Sequence, residues 1–240
     1  MKRILLMVFR NILIVPFMWI KLCYMAAHPD KFTDVQHLEM LRFITERANK
    51  GGNVIIDAHG IENIPEEDGF IFYPNHQGMY DMLALVDASQ RQVSAVAKKE
   101  VEKVIGLKQI MQCLRGFYMD RDDVRQSMGI IKKVTEEVLK GRNYIIFAEG
   151  TRSKMGNKLL EFKGGSFKAA TKAKCPIIPV ALIDSFMPFD SGTTSQVTVQ
   201  VHFLEPMYYE EYKDMKTTEI AEVVKERIEA RIAEYEHKHD

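Results

Sequence analysis

Hydrophobic positions follow three different patterns along this chain. Residues 4–27 are mostly apolar, through Ile4 to Phe9 and Ile12 to Ile20, and Arg10, Pro16 and Lys21 interrupt them. A helix of that length would measure roughly 36 Å, enough to match a bilayer core. Pro16 is expected to kink it, and Arg10 to snorkel or face protein. The pattern predicts a membrane-embedded or interfacial helix rather than a clean transmembrane span. A cleaved signal peptide fits less well, because the apolar core is broken and no small-x-small cleavage site follows. A buried core helix is the third reading. After the turn His28-Pro29-Asp30, Val35, Leu38, Leu41, Ile44 and Ala48 recur at helical spacing. That second helix is expected to start at a Thr33 or Asp34 cap, reach about Asn49 and stop at Gly51-Gly52. Residues 1–50 therefore read as a membrane-associating helical hairpin, with no Ser/Pro-rich linker to let it swing free.

From Asn53 the pattern changes to short apolar runs alternating with amphipathic stretches. Strands are predicted at Val54–Asp57, Phe70–Tyr73, Val93–Ala97, Phe117–Met119, Tyr144–Ala148, Ile177–Ile183 and Val197–Leu204. Helices are predicted near 79–89, 100–112, 123–140, 165–174 and 218–236. Val124, Met128, Ile131, Val134 and Val138 share one face of the third of these. Ile220, Val224, Ile228 and Ile232 share one face of the last. The expected fold of residues 51–240 is an α/β domain with a mixed, mostly parallel sheet flanked by helices.

Composition adds little except at the N-terminus. The 240 residues carry 33 basic and 33 acidic side chains, so global charge gives no argument for nucleic acid. Lys2, Arg3, Arg10 and Lys21 all precede the first acidic residue, Asp30, a bias that suits an anionic lipid surface on the cytoplasmic side. Cys23, Cys113 and Cys175 are scattered, and none forms a CxxC pair, which favours a reducing compartment over a disulfide framework.

Three polar stretches follow strand ends. The first is Asn75-His76-Gln77-Gly78-Met79-Tyr80-Asp81. On a continuous helix His76 and Asp81 would point about 140° apart, so they meet only if the stretch turns, with Gly78 permitting the bend and Asp81 in the first helical turn. One reading is a general-base dyad in which the carboxylate orients the imidazole. The other is a core histidine beside a helix-capping aspartate. The second stretch, Phe147-Ala148-Glu149-Gly150-Thr151-Arg152-Ser153, reads as an anion-binding loop or as a polar turn with a solvated Arg152. The third, Gly116-Phe117-Tyr118-Met119-Asp120-Arg121, offers Arg121 as another anion ligand or as an ion-pair partner of Asp120 or Asp122. Lys98 also follows a strand. Ligand sites of open α/β sheets gather at the carboxyl ends of strands, where all four of these side chains fall. No G-x-S-x-G elbow, H-E-x-x-H helix or Walker-A spacing is present. A histidine base without a protein nucleophile implies a substrate hydroxyl as the nucleophile.

With these blocks in order, the sequence resembles the 1-acylglycerol-3-phosphate (lysophosphatidate) acyltransferase family. The resemblance rests on Asn-His-x4-Asp at 75–81, Gly-Phe-Tyr-Met-Asp-Arg at 116–121, Phe-Ala-Glu-Gly-Thr-Arg-Ser at 147–153, Phe-Lys-Gly-Gly at 162–165 and Ile-Ile-Pro-Val at 177–180. Gly78 stands where the family often has Ser, and Ala148 where Pro is usual. The resemblance implies a membrane-associated O-acyltransferase of phospholipid biosynthesis that moves an acyl group from acyl-CoA or acyl carrier protein to the sn-2 hydroxyl of a lysophosphatidate. No cofactor or metal is implied beyond the thioester donor. It assigns His76 as base and Asp81 as its orienting partner. Glu149, Gly150, Thr151 and Arg152 match the glycerol-phosphate-binding block, Arg121 a companion phosphate contact, and Lys98 an added cation. Transfer to another lysolipid acceptor, or hydrolysis of the thioester, are the alternative activities.

Overall fold

The computed structural model describes residues 2–239. The apolar N-terminal stretch forms two helices, α1 (Lys2–Arg10) and α2 (Val15–Ala27), bent by 98°. The break falls at residues 11–14 and not at Pro16. Pro16 lies in the first turn of α2, where a missing N–H costs nothing. Among the described residues no single helix is long and apolar enough to cross a membrane.

Helix α3 (Asp34–Gly52) starts at Thr33, whose Oγ1 accepts from Gln36 N (3.2 Å) while Gln36 Oε1 accepts from Thr33 N (2.9 Å). It continues through Gly51 and Gly52, which do not stop it, and ends at Asn53 in the left-handed region. The two glycines are a docking surface for α1. A Cβ on Gly51 would stand 2.5 Å from Asn11 Nδ2, and one on Gly52 2.3 Å from Met7 Cε. Two of the four N-terminal cations are spent on this contact. Buried Arg3 donates to the carbonyls of Gly52, Thr193 (3.1 Å), Ser195 (2.8 Å) and Pro188 (2.9 Å), and Arg10 to Gly51 O (3.2 Å) and Asn53 Oδ1 (2.6 Å). Carbonyls left over at a helix C-terminus favour such cations. The N-terminal helices therefore dock on the rest of the chain, and Arg10 faces protein.

The remainder alternates strands and helices: β1 (Val54–His59), β2 (Ile71–Pro74), α4 (Asp81–Ser89), β3 (Ser94–Lys98), α5 (Leu107–Cys113), β4 (Phe117–Met119), α6 (Val124–Leu139), β5 (Tyr144–Ile145), α7 (Lys168–Ala173), β6 (Ile177–Ile183), α8 (Met187–Asp190), β7 (Val197–Phe203), α9 (Tyr209–Tyr212) and α10 (Thr217–His239). The helix expected at 100–112 divides into a 3₁₀ turn, Lys99–Lys103, and α5, separated at Gly106 with φ +91°. The run 144–148 keeps only two ladder residues, because the chain turns off toward its polar loop.

One sheet runs in the order β1-β7-β6-β2-β5-β3-β4. Strands β2 to β6 are mutually parallel, and β7 pairs antiparallel to β6. Residues of β6 alternate between two cores. Ile177, Ala181 and Ile183 meet α6, α7 and α10 through Val134, Val138, Ala170, Ile220, Val224 and Ile228. Ile178, Val180 and Leu182 meet Tyr80, Ala84 and Leu85 on the other face. A third core joins α2, α3 and α5. The predicted face of α10 is buried as expected. That of α6 is only half right, since Val124 and Met128 project beyond the sheet and are exposed.

Candidate active site

Strand β2 lies between β5 and β6. The chain builds outward from it to β3 and β4, folds back to β5, and then crosses over to lay down β6. Its carboxyl end is thus a topological switch point, where the loops after β2, β5 and β6 converge.

Beyond Pro74 the chain keeps a strand-like alternation for three residues. Asn75 and Gln77 turn inward, and His76 turns outward. Asn75 extends the β2–β6 pairing with its side chain, donating to Leu182 O (2.9 Å) and accepting from Leu182 N (2.7 Å). Gln77 donates to Leu182 O (2.9 Å) and Asn157 Oδ1 (2.8 Å), and accepts from Ser185 N (2.8 Å). These bonds fix the backbone on either side of His76.

His76 Nδ1 and Asp81 Oδ2 are 2.7 Å apart, so the two side chains meet. Asp81 opens α4, is fully buried, and also accepts from Gln77 N (2.7 Å), Gly78 N (3.1 Å) and Ser185 Oγ (2.5 Å). Donors therefore surround the carboxylate and hold it against Nδ1, which must then be the protonated ring nitrogen. That tautomer leaves Nε2 as the proton acceptor. The imidazole stacks on Phe147, with ring centroids 4.1 Å apart. The turn does form, but not because Gly78 has an unusual φ. Phe186 Cα would lie 3.2 Å from a Gly78 Cβ, so close approach of the backbone after β6 is what favours glycine there.

The loop after β5 grips His76 through its main chain. Glu149 Oε1 accepts from His76 N (2.6 Å), and Ser153 N donates to His76 O (2.8 Å). The other Glu149 oxygen accepts from Leu160 N (2.9 Å). Glu149 is buried, and burial pushes its carboxyl above the ordinary range against the pull of those two N–H donors. Both oxygens are committed to backbone, so Glu149 shapes the site and is not turned toward a ligand. Gly150, at φ +77°, bends the loop back. A Cβ there would stand 3.0 Å from Lys163 Nζ, which brings a cation from the Phe162–Gly165 stretch over the loop.

The cations differ in commitment. Lys98 pairs with Glu100 at 2.9 Å in the solvent, and Asp120 pairs with Lys99 at 3.3 Å rather than with Arg121. Among the described residues no ion pair engages Arg121 or Arg152, and Thr151 is exposed. Strands lie about 4.8 Å apart, so β5 and its Arg152 loop are one spacing from His76, Lys98 two and Arg121 three. His76, Asp81 and Glu149 are brought into contact, Gly150 and Arg152 follow Glu149 in the same loop, and Lys98 and Arg121 lie two and three strands out toward the sheet's edge. Phe147 and Lys163, from blocks already legible in the sequence but given no role there, and Ser185, which the sequence reading missed, complete the site. Ser185 had a usable signal, since it too follows a strand's carboxyl end.

A half-buried histidine held on a buried aspartate at the switch point of a mostly parallel sheet, beside an arginine-bearing loop, defines the class: an α/β enzyme whose site can accept a proton next to a cationic loop. Comparison with known proteins narrows the class. A family profile described as Acyltransferase matches residues 55–183. The 1-acyl-sn-glycerol-3-phosphate acyltransferase of Escherichia coli is 32% identical over 165 residues, covering 68% of this chain and 67% of that protein. A chloroplastic 1-acyl-sn-glycerol-3-phosphate acyltransferase of Brassica napus is 31% identical over 156 residues, 63% of this chain and 45% of its own length. The crystal structure of the 1-acyl-sn-glycerophosphate acyltransferase PlsC from Thermotoga maritima superposes with a TM-score of 0.75 over 97% of both chains at 21% identity, and so shares the fold. The chain belongs to the acyltransferase family.

Proposed function

We propose that this protein acylates the sn-2 hydroxyl of 1-acylglycerol 3-phosphate to give phosphatidate, with acyl-CoA or acyl carrier protein as donor. The observation that carries the proposal is the 2.7 Å His76–Asp81 contact set beside an uncommitted Arg152, in a chain whose relatives are named for that acceptor. His76 Nε2 takes the hydroxyl proton, and the oxygen attacks the thioester carbonyl. As the tetrahedral intermediate collapses, the C–S bond breaks and the proton on Nε2 passes to the departing sulfur. Asp81 holds the imidazolium that exists between these two transfers. Arg152, joined from the sheet edge by Arg121 and Lys98, binds the acceptor phosphate so that the hydroxyl lies in attack distance of Nε2. Gly150 and Thr151 shape that loop, whereas Glu149 acts by fixing the His76 backbone.

The acceptor and the acyl chains reside in membranes, and we place the protein on a cytoplasmic membrane surface. Leu5, Phe9, Ile12, Leu13, Phe17 and Ile20 all project from α1, α2 and their corner into solvent, an apolar surface far beyond what scattered exposed residues need. The free cysteines fit a reducing compartment.

The test is a purified-protein assay of both donors against a panel of lysolipids. Phosphatidate formation from lysophosphatidate is expected, and His76→Ala should reduce it by about 10²–10⁴-fold without unfolding the protein. Near-normal turnover by the variant would overturn the base assignment. Thiol release independent of acceptor would make the protein a hydrolase.

A further inference from the structure

We propose that the turn Val104-Ile105 is a second membrane-inserting element, which seats the carboxyl edge of the sheet on an anionic bilayer together with α1 and α2. The proposal extends the membrane placement above and rests on it.

Ile105 is 81% exposed and Val104 45%, an adjacent aliphatic pair at the tip of the segment between β3 and α5. Gly106 at φ +91° makes the tip sharp, so neither side chain folds back on the chain. Nothing in the fold requires apolar residues there, since α5 is held by its other face through Ile110, Met111, Cys113 and Leu114. A tip of this kind is ordinarily polar.

The position of the tip identifies what covers it. Helix α5 packs along α2, and Met18, Leu22 and Met25 share one core with Val101, Ile110 and Met111. Arg115, just past the end of α5, bonds Pro29 O (3.2 Å) and Asp30 (3.5 Å), just past the end of α2, and Asp34 (2.8 Å) at the start of α3. Helices that pack along each other and end together run the same way. Leu107, which opens α5, lies six residues before Cys113, about 9 Å back along that direction at 1.5 Å per residue. The tip directly precedes Leu107, so it lies toward the N-terminal part of α2, on the side of the domain that carries the two N-terminal helices.

Charge selects an anionic bilayer over a neutral apolar partner. Lys103 and Lys108 flank the tip in solvent, and among the described residues no ion pair engages either. Exposed Glu102 opposes one of them, Lys98 and Lys99 are paired with Glu100 and Asp120, and the balance at the tip is positive. Basic residues around inserted aliphatics are the arrangement that binds acidic headgroups. The functional consequence is orientation. One insertion point leaves the domain free to roll on the surface, whereas a second one limits that roll.

The single tryptophan, Trp19, makes the test direct, because it reports α2 in the native chain and can be moved. Ile105→Trp in a Trp19→Phe background is mixed with vesicles of phosphatidylcholine alone or with phosphatidylglycerol, some carrying brominated acyl chains. The expected result is a blue shift and bromine quenching of the residue-105 indole, stronger with phosphatidylglycerol. Val104→Ser/Ile105→Ser should also weaken partition into the anionic vesicles by about tenfold, while turnover of a short-chain, water-soluble acceptor stays unchanged. Quenching of Trp19 in the native chain with none at residue 105 would overturn the second insertion point and leave the α1–α2 placement intact. Absence of quenching at both positions would overturn both. Equal binding to the neutral and anionic vesicles would remove the role of the lysines and with it the claim of an anionic surface.

Discussion

The smallest change that reaches the histidine–aspartate pair without touching either member is loss of the Ser185 hydroxyl. Its Oγ lies 2.5 Å from Asp81 Oδ1 and donates to it, and both groups are fully buried. A hydrogen bond to a buried charge is worth about 1.5–3 kcal/mol, so Ser185→Ala should lower kcat about tenfold to a hundredfold. Acceptor KM should hold, because Ser185 has no route to the phosphate. Initial rates at saturating donor separate the two parameters, and a pure KM effect would place Ser185 in substrate binding. His202 supplies a second prediction, about stability. Burial and its neighbours His59 and Arg231 lower its pKa to about 4, with Asp57 opposing. The unfolded chain, near 6.5, binds that proton first, so folding stability falls as pH drops from about 6.5 toward 4. Urea unfolding across that range should show the loss, and His202→Gln should flatten it.

Among the elements, α3 departs most from its sequence signals. Gly51-Gly52 would ordinarily stop a helix, and replacing an exposed helical glycine with alanine typically gains about 1 kcal/mol. Here Gly51→Ala would drive a methyl into Asn11 Nδ2, which donates to Met7 O (2.8 Å) and Arg47 O (3.0 Å). The amide would lose both partners, and α1 would lift from α3. The expected outcome is a loss of about 1–3 kcal/mol, read as a lower Tm, in place of the usual gain. The short β5 departs for a related reason. Ile146 N still bonds Phe72 O at 3.0 Å, but the chain must then leave the ladder for Glu149 to reach the His76 backbone.

For the whole molecule, the N-terminal helices have two faces with different tasks. Arg3 and Met7 bind the domain, and Leu5 and Phe9 on the same helix face away from it. Leu5→Ser/Phe9→Ser should therefore cut co-sedimentation with anionic vesicles severalfold and leave Tm within a degree or two, because no core contact is lost. A large drop in Tm would mean that these residues are covered by protein. The same division explains the basic bias of the N-terminus: Arg3 is buried against the domain, Arg10 is exposed but bonded to the end of α3, and Lys2 and Lys21 remain in solvent.

The amino-acid sequence by itself determined the alternation of strands and helices and the buried face of α10, and it made the meeting of His76 with Asp81 conditional on a turn after β2. Each depends on periodicity or on spacing within a few residues, and local backbone geometry sets those directly. Placement at the strand ends was legible too, because parallel strands joined by helices put their carboxyl ends on one edge. Only the tertiary structure decided what each polar group faces. Glu149 lies in a ligand-like motif, yet its oxygens meet the N–H groups of His76 and Leu160. Lys98 and Arg121 stand two and three strands from the histidine because β5 inserts between β2 and β3. Ser185 arrives beside Asp81 from 104 residues away. Such partners are fixed by strand order and long-range packing, which no local pattern encodes.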